Sequence, residues 1–157
     1  MLFRSVGSLD SGRDAPFNEL FLLGGPYSLR GYRYSRVGKK KFSNLAYNTY
    51  LTANPGRTAD ATAQAQRFFG GLQQVQYQGE LQFPLIREAD MFGVVFYDVG
   101  EAEDTIASSD KFFADVGFGI RWFSPIGPLR FEWGFPLNRD PLYNEAVVFE
   151  FSIGTPF

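Results

Sequence analysis

Phe112-Phe113-Ala114-Asp115-Val116-Gly117-Phe118-Gly119-Ile120-Arg121-Trp122 decides the fold. Phe112, Ala114, Val116, Phe118, Ile120 and Trp122 fall on one parity, and Phe113, Asp115, Gly117, Gly119 and Arg121 on the other. A period of two marks a β-strand with one apolar and one polar face.

The same pattern continues on both sides. Toward the N-terminus, Val95, Tyr97 and Val99 oppose Val94, Phe96, Asp98 and Gly100. Before them, Val75, Tyr77, Leu81 and Phe83 oppose Gln74, Gln76, Gln78, Glu80 and Gln82. Toward the C-terminus, Leu129, Phe131, Trp133 and Phe135 oppose Arg130, Glu132 and Gly134. The last strand sets Val147, Phe149, Phe151, Ile153, Thr155 and Phe157 against Val148, Glu150, Ser152, Gly154 and Pro156. Turns are expected at Ile86–Asp90, Ser124–Pro128 and Asn138–Pro141, with a polar connection from Glu101 to Asp110. Phe17 to Leu23 reads as a further strand of unassigned faces, Leu2 to Val6 as the tail of another, and Gly7 to Asp14 as a turn. The fold class is therefore all-β, an antiparallel meander of about six strands.

Residues 33 to about 66 are polar and read as irregular, with Lys39-Lys40-Lys41, Asn54-Pro55-Gly56 and an Ala/Thr/Gln-rich tract from Thr58 to Gln66. A connection this long is uncommon in a compact domain and is usually functional or disordered. The lysine run reads as a solvated surface. Just before it, Gly24-Gly25-Pro26-Tyr27-Ser28-Leu29-Arg30-Gly31-Tyr32 has the composition of a tight loop around one cation, Arg30.

The 157 residues suit one domain. With 15 basic and 17 acidic residues, the chain lacks the basic footprint of a nucleic-acid binder. It has no cysteine and no histidine, which removes disulfides, thiol chemistry, the usual zinc sites and histidine-based catalysis. No metal, cofactor or catalytic residue is expected. No apolar run reaches the roughly 18 residues of a membrane helix. Met1-Leu2-Phe3-Arg4-Ser5 lacks a signal-peptide core, which leaves a cytosolic protein or a chain cut from something longer.

Alternation fits a soluble β-sandwich binding module as well as a membrane barrel. Three features favour the barrel. The strands run to about ten residues, long enough to cross a bilayer at a tilt. Aromatics dominate the apolar face, with Trp122 and Trp133 read as interfacial girdle residues near strand ends. Short and long connections alternate, as in outer-membrane barrels. Six strands fall short of the roughly eight that a membrane barrel needs, and lipid does not tolerate an open edge. The chain then either self-associates through open edges or is the C-terminal piece of a larger barrel.

Glu80 and Asp98 share the polar face of adjacent strands, and counting about residue 89 puts them nearly opposite. Two such carboxylates repel unless a cation lies between them, and Arg30 is the candidate. The alternative, solvated carboxylates and a free loop arginine, stays open on pairing logic alone.

Taken together, these residues resemble a known family. Leu29-Arg30-Gly31-Tyr32 after Gly24-Gly25 resembles the Val/Leu-Arg-Gly-Phe/Tyr motif in the sixth extracellular loop of the BamA family of outer-membrane protein insertases. Phe96-Tyr97-Asp98-Val99-Gly100 is similar to its F-x-D-x-G strand motif, and Glu80 matches its other carboxylate. Gly127-Pro128-Leu129-Arg130-Phe131 resembles its last hairpin, and Phe149 to Phe157, with Phe149, Phe151, Ile153 and Phe157 on one face, its C-terminal β-signal. One departure is Gly38-Lys39-Lys40-Lys41, where many members carry Gly-Pro.

The resemblance implies the C-terminal segment of a 16-stranded transmembrane β-barrel in the bacterial outer membrane, with the POTRA domains outside the chain. Residues 25–66 would be a long extracellular loop folding into the lumen, and residues 67–157 the last five strands. Arg30 would dock on Glu80, Phe96 and Asp98, with Gly100 nearby. Partners would be membrane lipid, unfolded outer-membrane clients and accessory assembly lipoproteins. A two-partner secretion transporter on the same barrel is the related alternative.

Overall fold

The computed structural model describes residues 1–6, 16–108, 111–139 and 145–154. The turn expected over residues 7–14 lies outside the described residues, as do Asp110, the Asp140-Pro141 end of another turn, and Thr155, Pro156 and Phe157.

Ten elements follow in chain order: β1 (Leu2–Ser5), β2 (Lys40–Phe42), α1 (Asn44–Ala53), α2 (Thr58–Gln64), β3 (Gln66–Phe68), β4 (Gln73–Ile86), β5 (Met91–Glu103), β6 (Phe113–Ser124), β7 (Gly127–Pro136) and β8 (Val148–Ile153). The described residues form one six-stranded antiparallel sheet in the order β1-β4-β5-β6-β7-β8, with β2 and β3 pairing as a separate ribbon. The sheet is a meander interrupted by one excursion, residues 16–72.

Alternation sorts the side chains into two faces. The outward face carries Leu81, Phe83, Val95, Tyr97, Phe118, Phe149 and Phe151, all substantially exposed. Its aromatics stack across strands: Phe118 on Trp133 at 5.4 Å, Trp133 on Phe149 at 5.1 Å and Phe131 on Phe151 at 4.9 Å between ring centroids. Cross-strand aromatic pairs of this kind stabilise a ladder. The other face is covered by the excursion and buries Val94, Phe96, Asp98, Asp115 and Glu132. A sheet whose apolar face is bare and whose charged face is covered inverts the arrangement of a soluble domain.

Several expectations are corrected. Residues 17–23 are not a strand: Phe17–Glu19 is a short 3-10 turn, and only Phe21 and Leu23 make isolated bridges, to Gly71 and Val37. Asn18 and Glu19 break the alternation, so no ladder propagates. The sixth strand is instead Leu2–Ser5, paired with Gln73–Gln76. Residues 33–66 are not irregular throughout. Ser43 caps α1, its hydroxyl accepting from Ala46 N at 3.2 Å, and Asn54 closes the helix with its backbone N–H on Tyr50 O. Trp122 lies near the end of β6, and Trp133 lies toward the end of β7, level with Phe118 and with Phe149 near the start of β8. Glu80 and Asp98 are diagonal: Glu80 pairs with Phe96 and Gln78 with Asp98, because the hairpin is centred one residue earlier and carries an irregularity between Pro84 and Ile86.

Glycines let the excursion lie directly on the sheet. A Cβ on Gly134 would stand 2.6 Å from the Arg30 carbonyl oxygen, and one on Gly117 would overlap the Phe96 ring. The contact at Gly134 is with backbone, which cannot swing aside. Gly134→Ala is therefore expected to lower the unfolding midpoint by an amount equivalent to about 1–3 kcal/mol, read from thermal melts of the variant beside the unmodified protein.

Candidate functional site: a loop arginine docked on the sheet

Gly24 and Gly25 both take positive φ, 110° and 99°, which reverses the chain where a side chain would clash. The reversal then ties itself together. Gly25 N donates to Leu29 O at 3.1 Å and Tyr32 O at 2.8 Å, Ser28 N donates to Gly25 O at 3.0 Å, and Gly24 N donates to Ser28 Oγ at 2.7 Å. Leu29 and Tyr32 drop into a small core with Leu23, Val37 and Ala102, against which Phe21 and Phe113 pack. Gly100 makes room for this core: a Cβ there would meet Leu23 and Leu29 Cδ1, each at 3.0 Å. Burial pushes the Tyr32 hydroxyl up to about 12, so it stays neutral and donates to Ala114 O at 3.1 Å.

Folded this way, the turn aims Arg30 at the sheet, where it is 3% exposed. Its Nε donates to Asp98 Oδ2 at 2.7 Å and its Nη2 to Asp98 Oδ1 at 2.8 Å, a two-pronged fit for a planar guanidinium. The Arg30 backbone N–H adds a third, longer bond to Asp98 Oδ2 at 3.3 Å. Nη1 donates to Glu80 Oε2 at 2.7 Å, and the guanidinium carbon sits 3.7 Å over the Phe96 ring. Burial works against the Arg30 charge, but Asp98 and then Glu80 outweigh it and hold the pKa above its ordinary value.

Of the residues singled out in the sequence, the structure brings Leu29, Arg30, Gly31, Tyr32, Glu80, Phe96, Asp98 and Gly100 to one place. Phe149, Phe151 and Ile153 lie elsewhere, half exposed on the outward face of β8. Sequence reasoning missed four charged groups on the covered face. Arg121 Nη2 donates to Glu80 Oε2 at 2.6 Å. Arg130 and Glu132 reach the same cluster. Asp115 is 0% exposed, stands opposite Asp98 in the ladder and faces the Gly31 backbone, and no cation bonds to it among the described residues. All four sat on the polar parity of their strands, so the signal was present. Among the described residues no group of three carboxylates is placed to hold a metal ion, and the charges gathered here are suited to holding a turn.

Residues 3–157 match the Omp85 superfamily domain. Over 97% of its length the chain is 24% identical to the outer membrane protein assembly factor BamA of Neisseria meningitidis serogroup B. Over 98% of its length it is 30% identical to the outer membrane protein assembly factor BamA of Nitratidesulfovibrio vulgaris. It spans 20% and 17% of the lengths of those relatives. Its fold is similar to that in the crystal structure of BamA from Haemophilus ducreyi lacking POTRA domains 1-3, with a TM-score of 0.66 at 22% identity, over 89% of this chain and 28% of that one.

Two neighbouring carboxylates in such different settings make a direct comparison. Asp98→Asn breaks a buried, two-pronged pair and is expected to cost about 3–5 kcal/mol. Asp115→Asn replaces a buried carboxyl that bonds to no cation among the described residues, and is expected to leave the unfolding midpoint unchanged or raised. Thermal melts of both variants of the full-length protein in detergent check the contrast, and equal losses would contradict it.

Proposed function

The chain belongs to the Omp85 superfamily, and from that premise we propose that it forms the C-terminal part of the barrel of an outer-membrane insertase, which assembles and inserts other β-barrel proteins. On this reading the outward aromatic face meets lipid in the outer membrane of a Gram-negative bacterium, and the covered face lines the lumen. Residues 25–66 are the extracellular loop folded inward, and residues 67–157 supply the last five strands. Phe149, Phe151, Ile153 and Phe157 form the C-terminal β-signal.

The observation that carries the proposal is the edge at β8. Among the described residues β8 pairs with β7 alone, and Phe149, Phe151 and Ile153 stand half exposed along it. An unpaired edge is a template for a strand of another chain. Unfolded outer-membrane proteins are the clients that such an edge would receive, with POTRA domains and accessory lipoproteins handling delivery in the full-length protein. Insertion is driven by the client, which gains about 25 cal/mol for each Å² of apolar surface removed from water. The edge lowers the barrier by satisfying the client's backbone while it enters lipid. No bond is made or broken, so no residue is assigned a catalytic role. An isolated piece of this length would expose both sheet edges and pair between copies.

Cysteines placed at Phe149 or Phe151 in the full-length protein are expected to crosslink to a client strand during assembly. Failure to capture any client from either position would remove the support for this edge. Arg30→Glu is expected to cripple assembly, and Asp98→Arg in the same chain to restore part of it. Full activity with Arg30→Glu alone would show that the docked turn does not serve the function.

A further inference from the structure

The charges on the covered face extend beyond the two carboxylates that Arg30 grips most closely. Arg130 and Glu132 lie two residues apart on β7, so alternation puts both on that face. Arg130 Nη2 donates to Glu132 Oε2 at 2.5 Å and to the Pro26 carbonyl at 3.0 Å. Glu132 Oε1 faces Arg121 Nη2 at 3.3 Å and Arg30 Nη1 at 3.4 Å. One carboxylate, 1% exposed, thus collects guanidinium groups from the loop, from β6 and from β7. Without it, three buried cations would face one another with only Glu80 and Asp98 between them.

We propose that Arg130 and Glu132 are positioning residues that fasten the reversed turn to β7, the strand that carries the edge strand β8. Asp98 and Glu80 hold the turn over β4 and β5. Arg130 takes its entry at Pro26, and Glu132 takes the far side of the Arg30 guanidinium. The turn is then clamped at two points four residues apart in the chain, and it spans β4 to β7. Loss of Glu132 leaves the first clamp in place and frees the second, so the turn would lift from the side nearest the edge. The fastening is a matter of geometry. Its bearing on client strands rests on the insertase reading of β8.

The test uses the full-length protein with Leu29→Cys as reporter, because Leu29 is 0% exposed only while the turn is docked and this stretch contains no cysteine. Labelling by a water-soluble maleimide measures undocking. Glu132→Gln and Arg130→Gln are each expected to speed labelling about tenfold, the change produced by ~1.4 kcal/mol of lost docking. Glu132→Asp should be intermediate. Arg30→Gln combined with Glu132→Gln should speed labelling by less than the product of the two single effects, because the contact between them is lost in both while the Arg130 clamp depends on Glu132 alone. A purely structural role for Glu132 would give independent, multiplying effects instead.

If Glu132→Gln folds and labels at the unmodified rate, or if the double variant is fully additive, the proposal is overturned. If Glu132→Gln does not fold, Glu132→Asp and Arg130→Lys give the same reading. Insertion of a client barrel into vesicles is measured in parallel. Faster labelling with slower insertion supports both the fastening and its link to the edge. Faster labelling with unchanged insertion keeps the fastening and overturns the link. An unmodified protein that inserts no client counts against the insertase reading, while the labelling series still decides the fastening.

Discussion

A guanidinium that is 3% exposed has to be met by carboxylates, and much of this structure follows from meeting Arg30. Taking a charge out of water costs several kcal/mol unless partners and hydrogen bonds replace the solvent. Asp98 supplies the two-pronged partner, Glu80 the second carboxylate, and Phe96 a ring face beneath the plane. These three residues come from two strands, and Arg30 comes from a loop about 50 residues upstream of Glu80. The pairing therefore joins a long excursion to the middle of a sheet, and the arrangement of the turn serves it. Gly24 and Gly25 reverse the chain, Ser28 ties the reversal, and Leu29 and Tyr32 anchor it on both sides of the arginine.

The sheet accommodates the turn by omission. Gly134 and Gly117 lie on the covered face of adjacent strands, paired across the ladder, and each removes a side chain from a place that the turn or the Phe96 ring occupies. In a strand, glycine weakens the ladder through entropy and lost packing. Here the loss is offset by close approach of another backbone, which also shields the charges beneath it from water. A dry bed and a buried ion pair depend on one another: without the glycines the turn stands off, and with the turn raised the carboxylates return to solvent and bind Arg30 less strongly.

The strands from Gln73 to Ile153 were legible because the two faces meet such different surroundings. β5, β6 and β7 alternate between side chains that stay bare and side chains that the loop covers, so the period of two is plain there. β1 was harder to read, since four residues carry little periodicity and their partners lie some 70 positions away. The helices of the excursion were illegible for a physical reason. α1 buries none of its residues, so it has no need of an apolar stripe, and the pattern of its sequence does not mark it as a helix. In the site, parity alone brought Glu80 and Asp98 to one face, and Arg30 stood out as the single cation of its loop. Glu132, Arg121, Arg130 and Asp115 were on the right parity too. Their meeting depends on how far the turn reaches across four strands, which no count within one hairpin reveals.

The charge balance of the cluster says where it is self-sufficient. Arg30, Arg121 and Arg130 supply three cations, and Glu80, Asp98 and Glu132 supply three carboxylates that bond to them. All six belong to one stretch of chain and to four consecutive strands with their loop, so no group from outside is needed to neutralise them. Asp115 is the fourth carboxylate, placed opposite Asp98 and without a cation of its own. Its Cβ lies so close to the Gly31 α-carbon that no side chain fits there, which makes Asp115 a steric floor for the turn as much as a charge. The turn is thus seated by attraction at Asp98, Glu80 and Glu132 and by shape at Asp115. These three carboxylates, the Arg130 bond to the Pro26 carbonyl and one fixed stop together define a single docked position of the turn across β4 to β7.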